Sequence, residues 1–132
     1  METLEISKLL REYQNIAIVG LSPKTNRPSN QVARYLIEAG YNIIPVNPGH
    51  EEILGLKCYP DLESVSEPVD IVDVFRRSED VPPVVESAIK IAAKVIWMQQ
   101  GIINEEAASR ARKAGLTVIM DRCLKVDHRN LL

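Results

Sequence analysis

Residues 16–29 read Ile-Ala-Ile-Val-Gly-Leu-Ser-Pro-Lys-Thr-Asn-Arg-Pro-Ser. The quartet Ile16–Val19 is too short and too uniformly apolar for a half-exposed strand, whose side chains would alternate. It predicts a strand covered on both faces, the environment of a parallel sheet. After the polar loop, 29–39 carries Val32, Leu36 and Ala39 at helical spacing and stops at Gly40, a residue that tolerates the left-handed helix end. A strand, a loop and a helix thus follow one another at the crossover spacing of an α/β protein.

Working outward, the pattern repeats. Runs rich in Ile and Val recur at 42–46, 70–75, 95–98 and 117–120, with a weaker sixth at 56–59. Helical spacing returns at 78–92, where Pro82 and Pro83 are tolerated only in the first turn, and at 104–114, which opens on a capping Asn104 and ends at Gly115. Before the first strand, Ile6, Leu9, Leu10 and Tyr13 mark a packed amphipathic helix. Right-handed crossovers then give a three-layer, doubly wound parallel sheet of Rossmann-like type, order 3-2-1-4-5-6, with the weak strand at an edge. For residues 124–132 the pattern leaves two readings open, a short helix against the domain or a contact with a partner.

A chain of 132 residues predicts one domain. Eighteen acidic against 16 basic residues leave a net charge of −2, and with one Trp, four Tyr and one Phe a nucleic-acid-coating role is disfavoured. No apolar run approaches the 18 or more residues of a membrane span. Cys58 and Cys123 lack CxxC partners and no secretory segment precedes them, so reduced thiols in the cytoplasm are expected. His50 and His128 have no metal-spaced neighbours and read as solvated. Cys58, Trp97 and Met98 read as core, and Asp70 and Asp73 as strand-end hydrogen-bonding groups.

Ligands of open α/β sheets bind beyond the carboxyl ends of the strands. Lys24, Arg27, Arg76, Arg77 and Arg122 all follow strands, so an acidic protein gathers cations on one edge, as an anionic ligand requires. In the first loop Gly20 permits close backbone approach, Ser22 offers a hydroxyl, and Ser29 is placed to cap a helix whose free N–H groups favour phosphate. Arg27 would add a charge-assisted hydrogen bond of about 1.5–3 kcal/mol. A GxGxxG fingerprint is absent. The second strand ends Val46-Asn47-Pro48-Gly49, without the carboxylate that receives an NAD ribose. That neutral end suits NADP or coenzyme A better than NAD.

Taken together, Ile16–Ser22, Arg27-Pro28-Ser29, Tyr41–Pro48, Val69–Arg76, Ile96–Ile102 and Met120–Cys123 resemble the small stand-alone CoA-binding proteins, in order along nearly the whole chain. Their domain is similar to the CoA-binding domain of the succinyl-CoA synthetase α subunit and of ADP-forming acyl-CoA synthetases. The resemblance implies coenzyme A as ligand. Gly20, Ser22, Arg27 and Ser29 would form a phosphate loop, Asn47 and Pro48 would flank the adenosine, and Phe75, Arg76 and Ser78 would line the next loop. Gln100 and Gly101 match a turn near the pantetheine arm that holds a Glu-Gly pair in the synthetases, with Gln100 at the Glu position. The synthetases' phosphohistidine lies in a second domain for which 132 residues leave no room, so a CoA or acyl-CoA binder without chemistry of its own is the first expectation. A detached subunit working with a synthetase-type partner, and an NADP-binding redox sensor, are the alternatives. A homo-oligomer is compatible with all three. Cys123, beside Arg122, reads by default as structural, with reaction at a CoA thiol as the alternative.

Overall fold

A computed structural model describes residues 3–132. The elements run α1 (Thr3–Glu12), β1 (Asn15–Val19), α2 (Pro28–Glu38), β2 (Asn42–Val46), β3 (Glu52–Ile53), β4 (Leu56–Lys57), β5 (Ile71–Val74), α3 (Val81–Lys90), β6 (Val95–Met98), α4 (Glu105–Lys113), β7 (Thr117–Met120) and α5 (Leu124–Leu131). The central sheet has order β2-β1-β5-β6-β7, all parallel. Strand order reverses at β1, so the loops after β1 and β5 sit side by side at the switch point where α/β sheets bind ligands.

The period of two splits every strand between two cores. Ile16, Ile18, Ile71, Val95, Trp97 and Ile119 pack with Ile6, Leu10, Val32, Leu36 and Leu124 from α1, α2 and α5. Ala17, Val19, Val72, Val74, Ile96 and Met98 pack with Val81, Val85, Ala107 and Ala111 from α3 and α4. Uniformly apolar strands are the necessary sequence of a sheet covered on both sides.

The expected sixth strand is corrected. Leu56–Lys57 turns back on Glu52–Ile53 as a small antiparallel hairpin. Only Tyr59 reaches the main sheet, in a single parallel bridge to Val46 at the β2 edge. The long helix expected from Ser78 is also shorter. Ser78–Asp80 forms a single tight turn and α3 begins at Val81, placing Pro82 and Pro83 where missing N–H groups cost nothing. Residues 124–131 do form a helix, which packs against α1 and α2.

Candidate nucleotide-binding rim

Gly20 sets the geometry of the rim. Its φ is +90°, and a Cβ there would lie 2.2 Å from the Phe75 carbonyl oxygen and 3.5 Å from Arg76 Nη1. Only glycine lets the end of β1 run this close to the end of β5, and the closeness lays the Arg76 guanidinium beside the first loop. The rest of that loop is wired internally. The Ser22 N–H donates to Ser29 Oγ at 3.0 Å, the Lys24 N–H to Ser22 Oγ at 3.1 Å, Asn30 Nδ2 to the Ser22 carbonyl at 2.9 Å, and Asn47 Nδ2 to the Leu21 carbonyl at 2.7 Å. Asn47 therefore ties the second loop to the first.

Ser29 does not cap α2. Arg27 is the N-cap residue, its backbone extended, with Pro28 at the first helical position and Ser29 already inside the first turn. Pro28, with its preset φ, opens the helix one residue early, and the Ser29 hydroxyl is spent on the loop. The Arg27 side chain makes no capping bond to α2 among the described residues, and the first turn of the helix holds no acid. Its positive end therefore carries no compensating group from its own segment.

The later loops are held by reciprocal bonds. Ser78 Oγ accepts from the Ile103 N–H at 3.0 Å and the Ser78 carbonyl accepts from Asn104 Nδ2 at 2.9 Å, while Asn104 Oδ1 caps α4 by accepting from the Ala107 N–H at 2.9 Å. The Gly101 N–H donates to Asp121 Oδ1 at 2.7 Å. Trp97, fully buried, donates from Nε1 to the Arg122 carbonyl at 2.8 Å. Ser78 and Gly101 thus brace neighbouring loops.

Two clefts open on this rim and share one wall. The larger, ≈ 680 Å³, lies between Pro28, Gln31 and Val32 of α2, Phe75, Arg76 and Arg77 after β5, Gln99, Gln100 and Ile102 after β6, and Cys123, Lys125, Val126 and Arg129 at α5. The smaller, ≈ 190 Å³, lies between Val19, Val46 and Pro48, the turn at Pro60, Asp61 and Leu62, and Pro83, Val84 and Ser87 of α3. Arg76 belongs to both.

Of the residues singled out in the sequence, Phe75, Arg76 and Gln100 line the larger cleft and Pro48 and Arg76 the smaller. Gly20, Ser22, Ser29, Asn47, Ser78 and Gly101 lie behind them in the loop framework. Lys24 and Arg27 are exposed beside the start of α2. The cation count of the rim changes in detail. Arg122 is held by Asp127, with bonds of 2.7 and 2.8 Å, and Arg77 faces Asp80 at 3.1 Å. Arg77 still lines the larger cleft, where Lys125 and Arg129 of α5 join it. Sequence reasoning missed these two, together with Gln31, Gln99 and Val126. For Lys125, Val126 and Arg129 the only available signal was their spacing on a helix that the pattern left undecided.

Buried polar groups also depart from expectation. Asp70 Oδ2 accepts from the Asn15 N–H at 3.1 Å, the strand-end role foreseen for it. Asp73 does not share that role. It is fully buried in β5 between Ile18 and Trp97, and neither carboxyl oxygen has a partner among the described residues. Burial raises its pKa well above the ordinary carboxylate value, which favours the neutral form. His128 is not solvated either. Its Nδ1 lies 2.8 Å from the Tyr35 hydroxyl, edge-on to Tyr35 and Tyr41, and burial lowers its pKa. Cys58 is core, its thiol donating to the Asn47 carbonyl at 3.4 Å and its pKa raised by burial. Among the described residues no cluster of His, Cys, Asp or Glu could hold a metal, and no helix is long and apolar enough to cross a membrane.

Comparison with known proteins gives this rim its context. YneT, an uncharacterized protein of Bacillus subtilis, is 48% identical over 124 residues, covering 94% of this chain and 92% of its own. A hypothetical protein from Pyrococcus horikoshii OT3 superposes with TM-score 0.97 at 41% identity, over 99% of this chain and 92% of that one. The ADP-forming acetate–CoA ligase I of Archaeoglobus fulgidus is 27% identical over 83% of this chain, which spans only 17% of the ligase. A CoA binding domain model matches residues 14–129, from the residue before β1 almost to the end of α5 and so across every loop of the rim. The chain therefore belongs to the CoA-binding domain family, related to domains of ADP-forming acyl-CoA synthetases.

Proposed function

We propose that the protein binds coenzyme A or acyl-CoA along this rim. The observation that carries the reading is Arg76, a cation standing between two clefts at the switch point, beside the uncapped start of α2. An elongated ligand with phosphates near its middle suits that arrangement. The adenosine would sit in the smaller cleft against Pro48, with Asn47 behind it. The phosphates would lie at Arg76, Arg27, Lys24 and the loop of Gly20, Ser22 and Ser29. The pantetheine arm would enter the larger cleft past Phe75, Gln100 and the Ser78- and Gly101-braced turns.

Two or three charge-assisted contacts and a helix end, less the cost of association, correspond to micromolar binding, near about −8 kcal/mol. Titration calorimetry with CoA, NADP and NAD side by side tests the reading. A micromolar dissociation constant for CoA with much weaker NAD binding is expected. Preference for NADP would instead favour a redox-sensing role, for which Asn47 leaves room.

The similarity to the Archaeoglobus ligase favours one further reading, a CoA-binding subunit that works with a separate synthetase-type partner. Co-purification of such a partner, with CoA-dependent ATP turnover in the mixture, would support it. A chain that purifies alone and leaves ATP turnover unchanged would remove it.

A further inference from the structure

Cys123 lines the larger cleft, half-buried, and its position is fixed from both sides. The carbonyl of Arg122 before it accepts from Trp97 Nε1 at 2.8 Å, and the N–H of Leu124 after it donates to Gln99 Oε1 at 3.2 Å. Both anchors belong to β6 and its first loop residue. The thiol itself stands at the N-cap of α5 yet makes no capping bond. Its backbone is clamped and its sulfur is uncommitted.

A second group in the same cleft also points to an occupant. Gln99 is 5% exposed and lines the cleft. Its Oε1 is used on Leu124, but no protein group accepts from its Nε2 among the described residues, and that nitrogen is not among the sealed, unpartnered atoms. A nearly buried carboxamide with one donor open to a cleft is suited to a ligand carbonyl. The apolar sides of Phe75, Ile102 and Val126 complete a channel for a narrow arm of amides and methylenes that ends at sulfur.

We propose that Cys123 captures coenzyme A covalently by exchange with CoA disulfide, an inference that rests on the CoA reading above. The Cys123 thiolate attacks one sulfur of the disulfide. The sulfur–sulfur bond breaks, a Cys123–CoA disulfide forms, and the departing CoA thiolate takes up the proton that Cys123 released. No separate oxidant is consumed. Gln99 Nε2 donates to an amide carbonyl of the pantetheine arm and holds the disulfide in line with the thiol.

The test is intact-protein mass spectrometry of the full chain with CoA disulfide or glutathione disulfide at equal concentration, with calorimetry of Cys123→Ser against reduced CoA. Expected are one CoA adduct mapped to Cys123, none on buried Cys58, formation about tenfold or more faster than with glutathione disulfide because binding raises the local concentration, and slowing by excess acetyl-CoA. Gln99→Glu, which keeps an Oε1 acceptor for the Leu124 N–H but removes the Nε2 donor, should lower the ratio of the CoA rate to the glutathione rate. Equal rates with the two disulfides, an adduct on Cys58, or no adduct would overturn the proposal. If Cys123→Ser still binds reduced CoA in those cases, capture alone has failed. If reduced CoA binds neither protein, the CoA reading has failed with it.

Discussion

The two clefts that meet at Arg76 are built from different material. The smaller is walled by the irregular connection after β2 and the start of α3, with Pro48, Pro60 and Pro83 beside Leu62 and Val84. The larger is walled by α2 and α5 and carries Arg77, Lys125, Arg129, Gln99 and Gln100. The smaller has three prolines in its wall, and the larger sets glutamines and cations from α5 and from the loops after β5 and β6 beside the apolar sides of Phe75, Ile102 and Val126. The proposed ligand would put its adenosine in the first, its phosphates at Arg76 and its amide-bearing arm in the second. On the proposed reading, selectivity is divided along the rim, with the shared cation joining the two halves.

The largest effect is expected where both clefts are formed at once. Gly20→Ala forces a Cβ onto the Phe75 carbonyl in a left-handed backbone and should cost about 3 kcal/mol or more of stability. Calorimetry should find CoA binding lost along with it. A stable Gly20→Ala protein with normal binding would mean that the loops need not approach so closely. Arg76→Ala comes next. Loss of a charge-assisted bond of about 1.5–3 kcal/mol predicts roughly 10- to 100-fold weaker CoA binding, with the thermal midpoint nearly unchanged.

A third test concerns the face of the sheet beneath the larger cleft. Burial raises the pKa of Asp73 well above 3.8 and so favours its neutral form in the folded state. An acid with a raised folded pKa contributes most below its unfolded value and loses that contribution as pH rises. The native protein should therefore fall behind Asp73→Asn from about pH 4 upward, by at most about 1.4 kcal/mol per pH unit, until the buried carboxyl ionises. Denaturant melts across pH check this, and parallel curves for the two proteins would contradict it. Arg27→Ala should weaken CoA about tenfold, since Arg27 flanks the helix start without lining a cleft. Arg129→Ala, at an exposed site, should cost about two- to threefold and fade in high salt. A larger loss at Arg129 than at Arg76 would move the phosphates into the larger cleft.

Much of this architecture was legible in the sequence because two-sided burial leaves an unmistakable pattern. Five apolar runs match the five strands of the main sheet to within a residue at each end. Leu56–Tyr59 misled because a short run cannot reveal its partner, and Glu52–Ile53 competes for it locally. At the rim, loop position pointed to Arg76 and the family resemblance added Phe75, Pro48 and Gln100, and all four line the clefts. What it could not foresee was how charges would pair. Arg122 finds Asp127 only after α5 folds, and the same fold delivers Lys125 and Arg129. Asp73 was misread because alternation places a residue on a face without saying whether a hydrogen-bond partner waits there.

The central claim is that one phosphorylated adenosine ligand spans both clefts across Arg76. Amide chemical-shift mapping during a CoA titration tests it most directly. Joint, saturable shifts are expected at Gly20, Arg76 and the Pro48–Gly49 turn on one side and at Gln99, Gln100 and Cys123 on the other, with one micromolar dissociation constant. Shifts confined to a single cleft, or to the β7–α4 side of the molecule, would contradict it.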